Sequence, residues 1–221
     1  MKRLDAKSPE VAEQKSKAKK KKTIKDDGKT ISVTKTIYSK EEAIQAKMAV
    51  AEPAFLGKKL ISMEQKSERH VWVPCYLLVF NFRVQRNVFF NKNAMFDKIG
   101  TVGVVYDANE MHGSSYDYLT EGNIPLKHIP KEELEGEILP DKGNEKEIMD
   151  GAETFIRRQL FLKAYKTTEG ELDLIKKVKF YREAWELKLK FKDKNFTKYA
   201  YMDDYSLTNE RARGMNRRLE P

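Results

Sequence analysis

Apolar and polar positions alternate with a period of two along most of this chain, and the pattern changes to a helical one in two places. The most apolar stretch is Val71 to Val84. Trp72, Tyr76, Leu78, Phe80 and Phe82 fall on or near one face, and Val71, Val73, Leu77 and Val79 on the other. Successive side chains of a strand point to opposite faces, so apolar sets on both sides mark a central strand covered twice, or one that faces a partner subunit. Pro74 has no N–H to give a ladder, which places it at a bulge or at the strand start. Ile31, Val33 and Ile37 predict a strand between Lys29 and Tyr38. Leu60 to Met63 and Ile99 to Asp107 read as further strands.

The helical pattern begins after Ser39, with Glu42 three residues on to complete a capping box. Ile44, Met48, Ala51 and Phe55 then form one stripe, and Pro53 is expected to break it. Asn144 and Glu147 open a second helix, striped by Ile148, Ala152, Phe155, Ile156 and Leu160, with Gly170 beyond its end. Leu172, Leu174, Val178 and Phe180 alternate. A rival helical stripe runs through Ile175, Val178, Tyr181, Trp185 and Leu189. The alternation of Trp185, Leu187, Leu189 and Phe191 with Glu186, Lys188 and Lys190 decides for strands. Lys192 to Asn195 then predicts a hairpin turn into Phe196 to Met202.

Between the two patterned halves, residues 108–143 carry Gly113, Gly122, Pro125, Pro130, Gly136, Pro140 and Gly143, and the acidic residues cluster from Lys131 to Asp150. So long a connection predicts a linker or a functional loop. The expected organisation is a disordered basic tail (1–28), a helix-plus-sheet unit (29–107), an acidic linker or loop (108–143), a second such unit (144–207) and a basic C-terminal tail (208–221). The fold class is α+β, with two related helix-plus-antiparallel-sheet units. At an offset of 109 residues the strand regions share Leu78/Leu187 and Phe82/Phe191, and aromatics coincide at Trp72/Tyr181 and Tyr76/Trp185. Each half ends a strand in a Tyr-Asp segment, Tyr106-Asp107 and Tyr201-Met202-Asp203. In outline this order of elements is similar to the units of cystatin-like or PepSY-like domains.

Charge changes the picture at the ends only. Residues 1–29 carry 11 Lys/Arg against 5 Asp/Glu, or +6, and residues 208–221 carry 4 against 2, or +2, out of a net +9. The remainder is therefore close to neutral, at +1. Lys15, Lys17, Lys19, Lys20, Lys21 and Lys22 in the leader, and Arg211, Arg213, Arg217 and Arg218 near the C-terminus, are the candidate polyanion-binding residues. Such residues bind phosphates or an anionic membrane surface by counterion release, without sequence specificity. The leader has no aromatics to stack on bases. Its other reading is a solvated, solubilising extension.

The densest polar cluster is Asp107 to Asp117. Its oxygens at Asp107, Asn109 and Glu110 suggest a hard cation, and Ser114, His112 and Asp117 suggest nucleophile, base and orienter. The spacing fits neither an EF-hand nor a Gly-x-Ser-x-Gly elbow, and a strand end turning at Asp, Asn and Gly explains the same residues. His70, His112 and His128 are far apart in sequence, so no metal is expected. Cys75 reads as a small core residue. Gly100 to Gly103 precedes a strand, not a helix, so no phosphate loop or cofactor is expected. Asp203 and Asp204, as neighbours on a strand, would point apart. One cysteine, no apolar run near the roughly 20 residues a bilayer needs, and no apolar segment behind Met1 to Asp5 predict a cytoplasmic protein. The expected function is a non-catalytic adaptor or structural binding protein. Its partner, or a second copy, would meet strand 71–84, and its tails would contact a polyanion. The alternatives are a nucleic-acid-binding protein that also uses the sheet face, and a hydrolase or metal-dependent enzyme centred on Asp107–Asp117.

Overall fold

The computed structural model describes residues 29–52, 54–55, 58–59, 62–85, 97–165 and 167–205. In chain order its elements are β1 (Thr30–Thr34), α1 (Lys40–Ala51), β2 (Ala54–Phe55), β3 (Lys58–Lys59), β4 (Glu64–Gln85), β5 (Asp97–Asp107), β6 (His112–Tyr116), α2 (Tyr118–Glu121), β7 (Leu126–Pro130), β8 (Glu137–Ile138), α3 (Glu145–Ile156), β9 (Glu171–Phe191) and β10 (Lys194–Tyr201). The fold is mixed α+β: one eight-stranded sheet with few helices, and a separate β2–β3 pair. Among the described residues, no helix is long and apolar enough to cross a membrane.

Both helix starts form as the sequence predicts. Ser39 Oγ accepts the Glu42 N–H at 3.3 Å while Glu42 Oε2 accepts the Ser39 N–H at 2.8 Å. Asn144 and Glu147 repeat the arrangement at 3.0 and 2.8 Å. Each box satisfies two N–H groups that a helix start leaves without intrahelical partners. α3 buries Ile148, Ala152 and Ile156 and runs on as a π-helical segment, Arg157–Tyr165, that buries Phe161.

The sheet is built on β4 and β9, 22 and 21 residues long, paired antiparallel from Glu64↔Lys190 to Arg83↔Glu171. β9 is one continuous strand, so the helical stripe through Ile175 and Leu189 does not form. Cys75 to Gln85 of β4 pair with β5, which pairs with β6. Ala184 to Phe191 of β9 pair with β10 across a turn at Lys192 and Asp193, and Lys192 takes φ 52°. Every residue from Val71 to Phe80 is buried. Val71, Val73, Cys75, Leu77 and Val79 lie in one cluster with Phe180 and Ala184. Tyr76, Leu78, Phe80, Phe82 and Val84 lie in the other, under α3. β4 is thus a central strand covered on both sides, and its apolar side chains leave no face for a partner. Pro74 lies inside the strand. Its C=O accepts the Ala108 N–H at 2.9 Å just past the end of β5, so its missing donor falls at a gap in the ladder.

The division into two helix-plus-sheet units is not what forms. The strands assigned to separate units are hydrogen-bonded neighbours, and the helices cross over. α1 packs on β9 and β10 with Leu187, Leu189, Ala200 and Met202, and α3 packs on β5 and β6. A strand over 20 residues long offers more apolar surface than a single helix of its own half covers. One regularity does join the halves. The 109-residue offset carries Cys75, the first β4 residue paired with β5, onto Ala184, the β9 residue opposite Tyr201 at the end of β10.

Residues 108–143 are not a linker either. They contribute β6, β7, paired with β1 from Thr30↔Pro130 to Thr34↔Leu126, and β8, paired parallel with Val71 and Trp72. The Gly and Pro residues there separate short strands.

Candidate functional site

The face of the sheet that carries Val71, Val73 and Cys75 also carries buried charge. Arg182 stands opposite Val73, Glu186 opposite Arg69 and Asp107 opposite Cys75. Arg182 is 3 % exposed and Asp203 1 %. The Arg182 Nε donates to both Asp203 oxygens at 3.1 Å, and Nη2 donates to Oδ1 at 2.5 Å. Thr34 Oγ1 donates to Asp203 Oδ2 at 2.6 Å. The Arg182 guanidinium also lies 3.7 Å from the Tyr201 ring centroid. Burial works against its charge, and the Asp203 carboxylate outweighs burial and keeps it protonated.

Tyr199 and Tyr201 link this pair to the β5 end. Tyr201 donates its hydroxyl proton to Asp107 Oδ2, and Tyr199 donates to Asn109 Oδ1 at 2.8 Å. Asp107 Oδ1 accepts the N–H groups of Asn109 and Glu110, both at 2.8 Å, an Asx turn that leads to Met111 at φ 54°. β5 and β10 lie on opposite edges of the β4–β9 pair, about 14 Å apart in a flat sheet at the usual strand spacing. Side-chain contact between them requires the sheet to curl, and the tyrosines close the concave side. Burial, then Asp107, raises the Tyr201 pKa well above that of a free phenol. Burial pushes the Cys75 thiol up as well, so it is not a ready nucleophile.

Beside this cluster is a cavity of about 20 Å³ lined by Lys47, Asp107, Glu110, His112, Ser114, Arg182 and Tyr201. That is room for a water molecule. Lys47 reaches it from α1. Burial lowers its pKa, the nearby Glu110 works against the shift, and Lys198 and Arg182 add to it.

The polar stretch Asp107–Asp117 is therefore a turn and also the wall of a cavity. The triad reading fails: Asp117 caps α2 by accepting the Thr120 N–H at 3.2 Å, and His112 meets the Phe155 ring at 6.2 Å. Both Asp107 oxygens are engaged by donors, Oδ1 by two backbone N–H groups and Oδ2 by the Tyr201 hydroxyl. Among the described residues no group of His, Cys, Asp and Glu can hold a metal ion. His70 pairs with Glu183 at 2.9 Å and His128 with Ser32 at 3.1 Å, each far from His112 in the sheet. Asp204 accepts from Tyr38 while Asp203 turns inward, so the two carboxylates do diverge.

The sheet aromatics are committed to packing. Trp72 and Tyr76 are buried, and Trp185 is partly buried between His70, stacked at 5.2 Å, and the Lys40 ammonium at 4.2 Å. Lys15, Lys17, Lys19 to Lys22, Arg211, Arg213, Arg217 and Arg218 lie outside the described residues. Sequence reasoning missed Arg182 and Lys47. Arg182 had a signal: it occupies the inward phase between Phe180 and Ala184, where an apolar residue is expected. Lys47 had none. No family model matches this chain, and neither a curated protein nor a solved structure matches it.

Proposed function

We propose that this chain is a non-catalytic adaptor or structural binding protein, with a folded body that contacts a protein partner and basic ends that contact a polyanion. The observation that carries it is the charge partition, +6 and +2 on the terminal segments of a chain whose remaining residues sum to about +1. Point charges on a lysine-rich segment bind phosphate by releasing counterions, and need no shaped pocket. Because the apolar side chains of strand 71–84 are buried, the protein contact falls to large apolar side chains left outside, such as Ile99 (75 % exposed) and Leu119 (73 %). The single cysteine, buried and unpaired, suits a reducing, cytoplasmic setting.

A second reading, an enzyme centred on Asp107–Asp117, is favoured by one observation: His112, Asp107 and Arg182 line the same cavity. It ranks lower because a volume of about 20 Å³ admits a water and no organic substrate. The reading in which the sheet face itself binds nucleic-acid bases is weakened by the burial of its aromatics. A pull-down with the full chain, with and without nuclease, tests the proposal. Nuclease-sensitive capture of nucleic acid is expected alongside a nuclease-resistant protein. Capture of neither nucleic acid, anionic lipid nor protein overturns it.

A further inference from the structure

The concave side of the sheet is filled along β4 as far as Val79 and is open beyond it. Asn81 and Arg83 continue the phase of Leu77 and Val79, so they stand on that same side. Arg83 lies between Ile99 and Glu171 in one cross-strand row, and Asn81 between Thr101 and Asp173 in the next. The Thr101 hydroxyl donates to Asn81 Oδ1 at 3.0 Å, as side chains on one face do. In the third row Tyr118 of α2 closes over Gly103, where an added Cβ would meet the Tyr118 Cβ at 3.1 Å. α2 therefore covers the third row and leaves the first two in solvent, with Asn81, Arg83, Ile99, Glu171 and Asp173 all exposed. Ile99 and Leu119 of the adjoining α2 are the most exposed large apolar side chains among the described residues.

The last described residue, Tyr205, lies at the border of this face. Its ring meets Tyr116 edge-on at 6.0 Å, and Tyr116 pairs with Gly103. Sixteen residues follow in the sequence, 206–221, in which Leu207, Met215 and Leu219 accompany four Arg and two Glu, a net +2. Ile99 is about 14 Å from Gly103 along β5, and sixteen extended residues reach roughly 50 Å. The charge of the face is opposite: Asp117, Glu121, Glu171 and Asp173 stand around it against Arg83 and Lys176, four acids to two bases. Glu171 and Asp173 make no ion pair among the described residues.

We propose that the C-terminal segment 206–221 docks in cis on this face, its arginines meeting the acids and its apolar residues covering Ile99 and Leu119. A tethered segment is held beside its site at an effective concentration set by the chain, so a small surface is enough. The docking goes beyond the polyanion reading and stands without it. One consequence does rest on that reading: a polyanion that takes up Arg211, Arg213, Arg217 and Arg218 releases the segment and uncovers Ile99 and Leu119 for a protein partner.

The test is the rate of maleimide labelling of I99C and of L119C, one at a time, in the full chain. The native Cys75 is buried and stays silent. Each is measured with the natural C-terminal segment and with its charge reversed, R211E/R213E/R217E/R218E, and L162C, exposed on the other side of the sheet, is the control. Thermal unfolding identifies any variant that has lost its fold, and either position carries the test if the other is lost. Labelling at 99 and 119 is expected to be about tenfold slower with the natural segment, the protection that about 1.4 kcal/mol of docking gives, and equal at 162. Equal rates with the two segments at both positions overturn the inference. Protection that grows with protein concentration gives the face to a second copy and overturns it as well. Duplex DNA is expected to raise both rates with the natural segment. Rates that stay slow while fluorescence anisotropy shows the duplex bound overturn the release and leave the docking. A full chain that binds no duplex counts against the polyanion reading and, with protection still present, leaves the docking standing.

Discussion

Tyr199 donates its hydroxyl proton to Asn109 Oδ1 at 2.8 Å, although the two residues belong to strand ends on opposite sides of the β4–β9 pair. The contact, with that of Tyr201 to Asp107, joins the last strand to the turn after β5 and fixes the curl of the sheet. Both partners are buried, Tyr199 at 5 % and Asn109 at 4 % exposure. Tyr199→Phe keeps the ring and strands the Asn109 oxygen. The expected loss is about 1–3 kcal/mol, the usual penalty for an unsatisfied buried group. In a chain of this length that corresponds to a fall in Tm of about 2–4 °C per kcal/mol. An unchanged melt would show that the curl does not depend on the bridge.

Arg182 and Asp203 form a desolvated ion pair beneath that bridge. Asp203→Asn leaves a buried guanidinium without its counter-charge, and the expected cost is about 3–5 kcal/mol in a denaturant titration. Arg182→Met with Asp203→Leu is expected to lose much less than the sum of the single changes. A double-mutant cycle without coupling would assign the pair no role in stability.

Lys47 allows a pH test. Burial depresses its folded-state pKa below the ordinary lysine value near 10.5. The unfolded chain therefore binds more protons than the folded one between those two pKa values, and stability rises with pH across that window. Below it, the charged amine costs stability that Lys47→Met would not incur. The Met variant is expected to be the more stable near neutral pH, with the difference shrinking as pH rises through the lysine range. A difference that stays constant with pH would mean that the amine is solvated in the folded state.

The local signals in the sequence survive in the structure where they concern a residue and its near neighbours. The two capping boxes, the two apolar faces of β4 and the Lys192 turn all depend on contacts within a few residues. Ser39→Ala and Asn144→Ala should accordingly each cost about 1 kcal/mol in thermal unfolding, and a neutral result at either would show that the box is not formed. What could not be read is which strands pair. β4 meets β9 across about 100 residues of chain, and alternation says which face a residue takes but not which strand stands beside it. That pairing merges the two expected units into one sheet and turns the expected linker into β6, β7 and β8.

The polar cluster was hidden for the same reason. Thr34, Lys47, Asp107, Arg182 and the Tyr201–Asp203 end of β10 come from separate segments, and only the curl brings them together. Arg182 alone broke a local rule, as a charge in the phase of Phe180 and Ala184. Glu186, assigned by alternation with Trp185 and Leu187 to the polar side, is 2 % exposed, because its hydrogen bonds with Arg69 offset its burial.

The central claim is that cationic segments of the chain grip a polyanion while a neutral curled sheet supports them. Titrating duplex DNA with the full chain and with a chain lacking residues 1–28, at 50 and 200 mM salt, tests it most directly. The full chain is predicted to bind at 50 mM and to lose most of its affinity at 200 mM. The shortened chain should bind more weakly with a shallower salt dependence. A full chain that leaves the duplex unbound at 50 mM, or a shortened chain that binds as well as the full one, would contradict it.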